Sequence, residues 1–348
     1  MRNTSTTLPV VLRPYPGELL YSWLARVAAV YNISIRELLT VSASLWDLYV
    51  MPSGELVASL CEITRLTSDV IRQLTISASG IGQAWWNIRQ IAPDVLFPNM
   101  EYEYRPSFKF CRLCLWDDSV SQRDQFIRRE WMLAVPTICL VHGVPMEEVC
   151  ETCQSREFPI FATSRRGFRL VYVHCRRVLA KPEFVGRSGF IPEVNTLKAF
   201  ESALVHTLNK QWSFEFPAAW DGPRSFLQAV EDLLGLLLTR PREGFEHFVN
   251  WLDSTIIRVP QGLSRQPKAR PWLGDFPLRI RRGFVSHLAA LLGGHAVRQR
   301  LFAFRTNRYA FAELLEKLSS PEAEKFKRRL ATWPPTLRTL VFQAQSTQ

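Results

Sequence analysis

Apolar side chains recur at helical spacing early in the chain. Leu19, Leu20, Trp23, Leu24 and Val27 fall on one helix face. Asn32-Ile33 interrupts this pattern. Ser34 then opens a second short helix, IRELL, and Glu37 stands three residues on, the spacing of a capping box. Residues 17–42 therefore read as helix, tight turn, helix. Residues 57–77 repeat the outline as VASLCEITRL, then Thr67 or Ser68 as N-cap, then DVIRQLTIS. The echo of ISIRELL in TSDVIRQL points to a duplicated helix-turn-helix-like unit. Residues 78–110, with Trp85, Trp86 and Phe97, read as a connector whose aromatics pack on the cysteine-bearing region downstream. DQFIRREWMLAVP fits a short amphipathic helix bearing Trp131, with Arg123, Arg128 and Arg129 on its polar side. FPIFATSRRGFRLVYVHC predicts two strands turning at Arg165-Arg166-Gly167. Helical spacing returns in NTLKAFESALVHTLNKQW, RSFLQAVEDLLGLLL and HFVNWLDSTIIRV, and again in RRGFVSHLAALLGGHAVRQRLF and AFAELLEKL.

Cysteine placement changes this picture. Six of the seven cysteines lie between Cys111 and Cys175. They form the knuckles Cys111-x2-Cys114, Cys139-x2-His142 and Cys150-x2-Cys153, with His174-Cys175 downstream. A Cys-x2-Cys turn presents two thiolates on one side, half of a tetrahedral zinc shell. A disulfide framework suits a short secreted chain with cysteines spread over it. A redox pair expects one Cys-x2-Cys beside a βαβ unit. A buried structural thiol suits a lone residue such as Cys61. Paired spacing favours structural zinc over all three. One ion takes Cys111, Cys114, Cys139 and His142. A second, which the spacing leaves open, takes Cys150, Cys153 and Cys175 with His174 as fourth ligand. Neighbours on an extended strand point to opposite faces, so His174 and Cys175 share an ion only if the backbone bends there.

The expected fold is mainly α-helical, with helix-turn-helix-like units and a central zinc-finger or zinc-ribbon module containing short strands. Three regions follow: 1–100 helical, 101–180 zinc-binding and 181–348 helical, the last with a basic linker at 258–282. That linker holds seven Lys or Arg against one acid. Net charge is +11 and the pI about 9.6, the footprint of a nucleic-acid binder and also of a partner for acidic proteins. Candidate contacts to nucleic acid or a partner are Arg36, Arg72, Arg128, Arg129, Arg270, Arg281 and Arg282. Arg298, Arg300, Arg305 and Arg308 form another basic group. No apolar run has the length of a membrane helix, and MRNTSTTLPVV reads as a loose arm without a secretory signal. With its unpaired cysteines, this points to the cytoplasm. No nucleotide-binding, serine-hydrolase or zinc-peptidase motif is present. Glu147 and Glu148 beside the knuckles lack the His-x-Glu and Pro-Cys-x2-Cys of a zinc deaminase. No catalytic residue is assigned.

FCRLCLWDD, IRREWML and CLVHGVPMEEVCETC together resemble the TniQ family of transposition proteins, which includes TnsD. Asp117 or Asp118, Trp131, Gly143 and the three knuckles fall where that pattern wants them. LRPYPGELLYSWLARVAAVY is similar to the family's opening through Arg13, Pro14, Pro16, Glu18, Ser22, Trp23, Leu24 and Arg26, with Leu19 replacing a usual serine. The likeness covers about the first half of the chain. The family commonly has a further Cys pair, and Arg177 occupies a position where a second Cys of that pair would stand. The resemblance implies non-catalytic target-site selection. Such a protein links target DNA, or a CRISPR effector complex with its guide RNA, to an AAA+ transposition ATPase and transposase, and a homodimer is compatible with that role. Zinc-dependent transcriptional regulation is the alternative from the residues alone. A zinc hydrolase, requiring a water-bearing site at Cys150, Cys153 and Cys175, is a remote third.

Overall fold

A computed structural model describes residues 7–39, 41–79, 88–91, 103–106, 108–165, 167–180, 194–208, 223–237, 273, 278–292, 321–335 and 338. The chain divides into two compact units, residues 1–136 with 144–189, and residues 137–143 with 190–348.

The first unit begins with α1 (Leu20–Val30), which buries Leu20, Trp23, Leu24, Val27 and Ala28. The chain leaves α1 through Asn32, at φ 54°. Asparagine tolerates this left-handed region better than most residues. α2 (Ile35–Leu38) starts with the capping box of Ser34 and Glu37. α3 (Leu45–Tyr49), which the apolar spacing does not announce, is capped in the same way. Ser44 Oγ accepts from the Asp47 amide at 3.1 Å, and Asp47 accepts from the Ser44 amide at 2.9 Å. α4 (Gly54–Thr64) is capped by Ser53 and ends at Arg65, φ 58°. α5 (Ser68–Gln73) is capped by Thr67, and a 3-10 turn follows at Ile76–Ser79. The helices α2 and α5, expected as second helices of the repeated outline, have four and six residues. The arm expected to be loose is held from Leu8 onward. Leu8 N donates to Ile63 O at 2.8 Å, Tyr31 Oη donates to Val10 O at 2.6 Å, and Trp23 Nε1 donates to Leu12 O at 2.8 Å.

Strands β1 (Ile88–Ile91) and β2 (Glu103–Pro106) pair antiparallel, Ile88 opposite Pro106. α6 (Arg112–Val120) starts at the first knuckle, with Cys111 as its N-cap residue. Residues 124–128, expected in a helix, are not helical. Only a 3-10 turn forms, at Arg129–Met132. Tertiary partners claim the backbone of this segment. Gln125 N donates to Phe168 O at 3.0 Å, Leu19 N to Ile127 O at 2.9 Å and Arg129 N to Gly17 O at 2.7 Å. Ile127 N donates to Ser22 Oγ at 3.0 Å. Buried Gln125 adds side-chain bonds to Leu115 O at 2.9 Å and Leu170 N at 2.8 Å. Long-range ladder bonds here outweigh a helical polar pattern, because a buried amide left unpaired is costly.

β3 (Ile160–Ser164) and β4 (Gly167–Val171) form the expected hairpin, Ile160 opposite Val171. Gly167 has φ 91°, and a Cβ there would collide with the Asp124 carboxylate. Aromatic rings fill the core, with Tyr49 and Phe158 centroids 4.5 Å apart and Phe108 and Phe158 5.0 Å apart.

The second unit contains four described helices: α7 (Val194–Leu208), α8 (Pro223–Leu237), α9 (Leu278–Leu292) and α10 (Pro321–Leu330). α7 and α8 match the apolar spacing. Phe200 and Phe226 meet edge to face at 6.0 Å. Asp232, buried on α8, accepts from Arg329 at 2.5 Å and from Trp333 Nε1 at 3.0 Å. Leu278 to Arg282, expected in the basic linker, form the start of α9. The third helical stretch at 247–259, Trp85, Trp86, Phe97 and the group Arg298, Arg300, Arg305 and Arg308 lie outside the described residues.

Candidate metal centre

Among the described residues, Cys111, Cys114, Cys139 and His142 form one group that could hold a metal ion. Cys150, Cys153 and Cys175 form another. In each, the ligand atoms lie within 4.8 Å of one another. None of the seven cysteines is in a disulfide. A tetrahedral zinc with bonds near 2.3 Å sets neighbouring sulfurs about 3.8 Å apart. Cys139 Sγ and His142 Nδ1 are 3.5 Å apart, and Cys150 Sγ and Cys175 Sγ 3.6 Å. Both spacings suit ligands around one small ion rather than a disulfide. The donors of the first group, three thiols and an imidazole, would make a closed shell of a structural kind around a metal ion.

Local backbone builds each pair. At Cys139-x2-His142, the Gly143 amide donates to Cys139 O at 2.7 Å and the His142 amide points at Cys139 Sγ at 3.4 Å. Gly143, at φ 67°, closes the turn. At Cys150-x2-Cys153, the Gln154 amide donates to Cys150 O at 2.9 Å and the Cys153 amide points at Cys150 Sγ at 3.5 Å. Gln154 has φ 55°. Burial raises the Cys150 thiol, but the amides of Cys153 and Thr152 outweigh it and hold the thiol below its ordinary value. Cys111 sits at the N-terminus of α6. Phe110 and Glu147 exchange backbone hydrogen bonds at 2.8 and 2.9 Å. Arg112 bridges Glu147 at 2.5 Å and Glu151 at 3.0 Å. Burial raises the Glu147 carboxyl while Arg112 opposes it, so Glu147 serves as an ion-pair partner.

Sequence reasoning missed Glu201. This fully buried α7 residue accepts from the Thr137 amide at 2.8 and 2.9 Å, from the Ile138 amide at 2.9 Å and from Thr137 Oγ1 at 2.5 Å. Lys198 Nζ donates to Val141 O at 3.1 Å. α7 therefore grips the loop that carries Cys139 and His142. No local pattern connects residues sixty positions apart.

His174 stands apart from the second group. Its Nε2 lies 3.2 Å from Glu157 Oε1, and both side chains are exposed. Of the candidate contact arginines, Arg36 and Arg72 are exposed. Arg128 is committed internally. It meets both oxygens of buried Asp118, at 3.1 and 3.2 Å, and covers the Phe126 and Trp131 rings. Arg123 joins the same carboxylate at 3.2 Å. Burial raises the Asp118 carboxyl against the pull of Arg128. Asp118 is therefore the acidic residue of the motif that gathers these cations. Arg129 donates to Gln73 O. Arg281 is fully buried on α9, which removes it from the surface. Arg282 is half-buried and donates to Thr137 O at 3.4 Å. Arg270 lies outside the described residues.

No described helix is long and apolar enough to cross a membrane. No curated protein matches the chain. Residues 9–146 match the family model TniQ. That span takes in Glu18, Arg26, Asp118 and the whole first ligand group, and stops short of Cys150. Residues 9–146 of the chain thus carry a TniQ domain.

Proposed function

We propose that this chain is a non-catalytic target-site selector in DNA transposition. One observation carries the reading: the TniQ match over residues 9–146 ends on a complete set of four metal ligands inside it. Cys111, Cys114, Cys139 and His142 would hold zinc, which would supply rigidity rather than chemistry. The basic surface, with exposed Arg36 and Arg72, would engage the backbone of target DNA or of a guide-bearing CRISPR complex. The selected site would then pass to an AAA+ transposition ATPase. The second helices of the helix-turn-helix-like pairs, α2 and α5, carry one arginine each. This favours an adaptor over a direct reader of bases, and a cytoplasmic place of action fits both.

The test is a salt-titrated pull-down of metal-loaded protein with duplex DNA and with the proteins encoded beside its gene. Capture of an ATPase or a CRISPR complex, with weak DNA binding lost as salt rises, is the expected result. Tight binding to one DNA sequence without any ATPase would overturn it in favour of a zinc-dependent transcriptional regulator.

A further inference from the structure

We propose that Cys150, Cys153 and Cys175 form an open three-thiolate metal site, its fourth position left to an exchangeable ligand because Tyr172 stands where a knuckle cysteine would. The backbone carries this assignment. In the knuckle at Cys150, the amide four residues on, Gln154, donates to Cys150 O at 2.9 Å, and the Cys150 amide donates to Ser155 O at 2.9 Å. At Tyr172 the same two bonds recur. The Arg176 amide donates to Tyr172 O at 3.0 Å, and the Tyr172 amide donates to Arg177 O at 3.0 Å. The fourth residue is left-handed in both turns, with φ 55° at Gln154 and 56° at Arg176. Tyr172 therefore matches Cys150, and Cys175 matches Cys153. The segment Tyr172-x2-Cys175 thus has the backbone of a Cys-x2-Cys knuckle without its first thiol.

This corrects the expected position. Arg177 matches Ser155, outside the ligand pair, and its guanidinium donates to Thr152 Oγ1 at 2.9 Å. The Tyr172 hydroxyl donates to Val149 O at 3.4 Å, and its ring meets Phe110 edge to face at 6.2 Å. The side chain at the first knuckle position is thus engaged elsewhere. His174 pairs with Glu157. Cys153 and Cys175 are half-buried, so a small donor from solvent can approach. The cation class is zinc or a similar thiophilic divalent ion, with water or a small thiol or imidazole completing the shell.

The test is cobalt titration of the full chain, read by visible absorption with imidazole added afterwards. Wild type should bind a second cobalt whose ligand-field bands shift with imidazole and disappear in Cys150→Ser. Tyr172→Cys should abolish the imidazole shift and retain the ion against a chelator that strips it from wild type. Tyr172→Phe, which keeps the ring, should bind and shift as wild type does, and so should His174→Ala. Absence of a second cobalt in wild type overturns the proposal. So does loss of that cobalt or of its imidazole shift in Tyr172→Phe or His174→Ala, since phenol or imidazole would then be the fourth ligand. Closure of the shell by Arg177→Cys instead of Tyr172→Cys also overturns it.

Discussion

Arg26 Nη1 lies 2.7 Å from Glu18 Oε2, and both side chains are buried. Glu18 also accepts from the Tyr15 amide at 2.9 Å and from Ser22 Oγ at 2.8 Å. Arg26 reaches Asp124 at 3.2 Å and lies over the Tyr15 ring. The polar residues of the N-terminal motif are therefore one internal network rather than a surface. Their neighbours in sequence continue it: Ser22 Oγ, after donating to Glu18, accepts the Ile127 amide.

Breaking this pair by removing one partner leaves a buried charge. Arg26→Met should lower stability by about 3–5 kcal/mol. Urea denaturation of the full chain checks it. A loss below about 1 kcal/mol, the size of an exposed pair, would mean that solvent reaches the site.

The pH response of Glu18 follows from its burial. Desolvation is the largest influence and raises its carboxyl above the usual value, although Arg26 opposes it. The folded state then holds the proton more tightly than the unfolded state. Its stabilising contribution is full below the unfolded value and is lost as pH rises through the folded one. Wild type should therefore lose stability relative to Glu18→Gln as pH rises through that window. Denaturation curves collected across it give the sign, and a difference growing in the opposite direction would refute the assignment.

A metal ion held by the first ligand group would couple to folding. Cys111→Ser and Cys139→Ser should each lose that ion and lower the thermal midpoint, because metal binding contributes folding free energy directly. Atomic absorption and a thermal melt decide it. Unchanged metal content would remove Cys111 and Cys139 from the shell.

Glu201 organises the loop ahead of Cys139. Glu201→Ala leaves the Thr137 and Ile138 amides unpaired in a buried place, a cost of about 1–3 kcal/mol per group. The variant should melt earlier and release zinc faster to a chelator. A variant that melts earlier but keeps its zinc-release rate would limit Glu201 to packing.

Arg36 and Arg72 test the nucleic-acid surface. Each phosphate contact contributes about 0.9 to the slope of log affinity against log salt. Arg36→Glu and Arg72→Glu should flatten that slope without changing the melt, since both side chains are exposed. A slope equal to wild type would place the nucleic acid on another face.

Several features were legible from short-range pattern alone. Ser34 with Glu37, and the apolar face of α1, depend on residues three or four positions apart, so the chain announces them locally. The Cys-x2-Cys and Cys-x2-His knuckles are legible for the same reason, since one short turn sets both ligands. The β3–β4 hairpin is marked by its glycine.

Tertiary structure decided the rest. Arg128 looks like a surface cation in sequence, yet the buried carboxylate of Asp118, ten positions away, takes it. Residues 124–128 carry a helical polar pattern and still run without helix, because Gly17, Leu19 and Phe168 supply better backbone partners. Leu278 to Arg282 read as a basic linker, and α9 instead buries Arg281. Which positions form the last knuckle could not be read from cysteine counting, because Tyr172 has no thiol to mark it. Its place is defined by backbone hydrogen bonds and a left-handed residue, and those exist only once the chain has folded. Local spacing determines which ligands come in pairs. Burial and long-range hydrogen bonding determine which charges remain free to meet a partner.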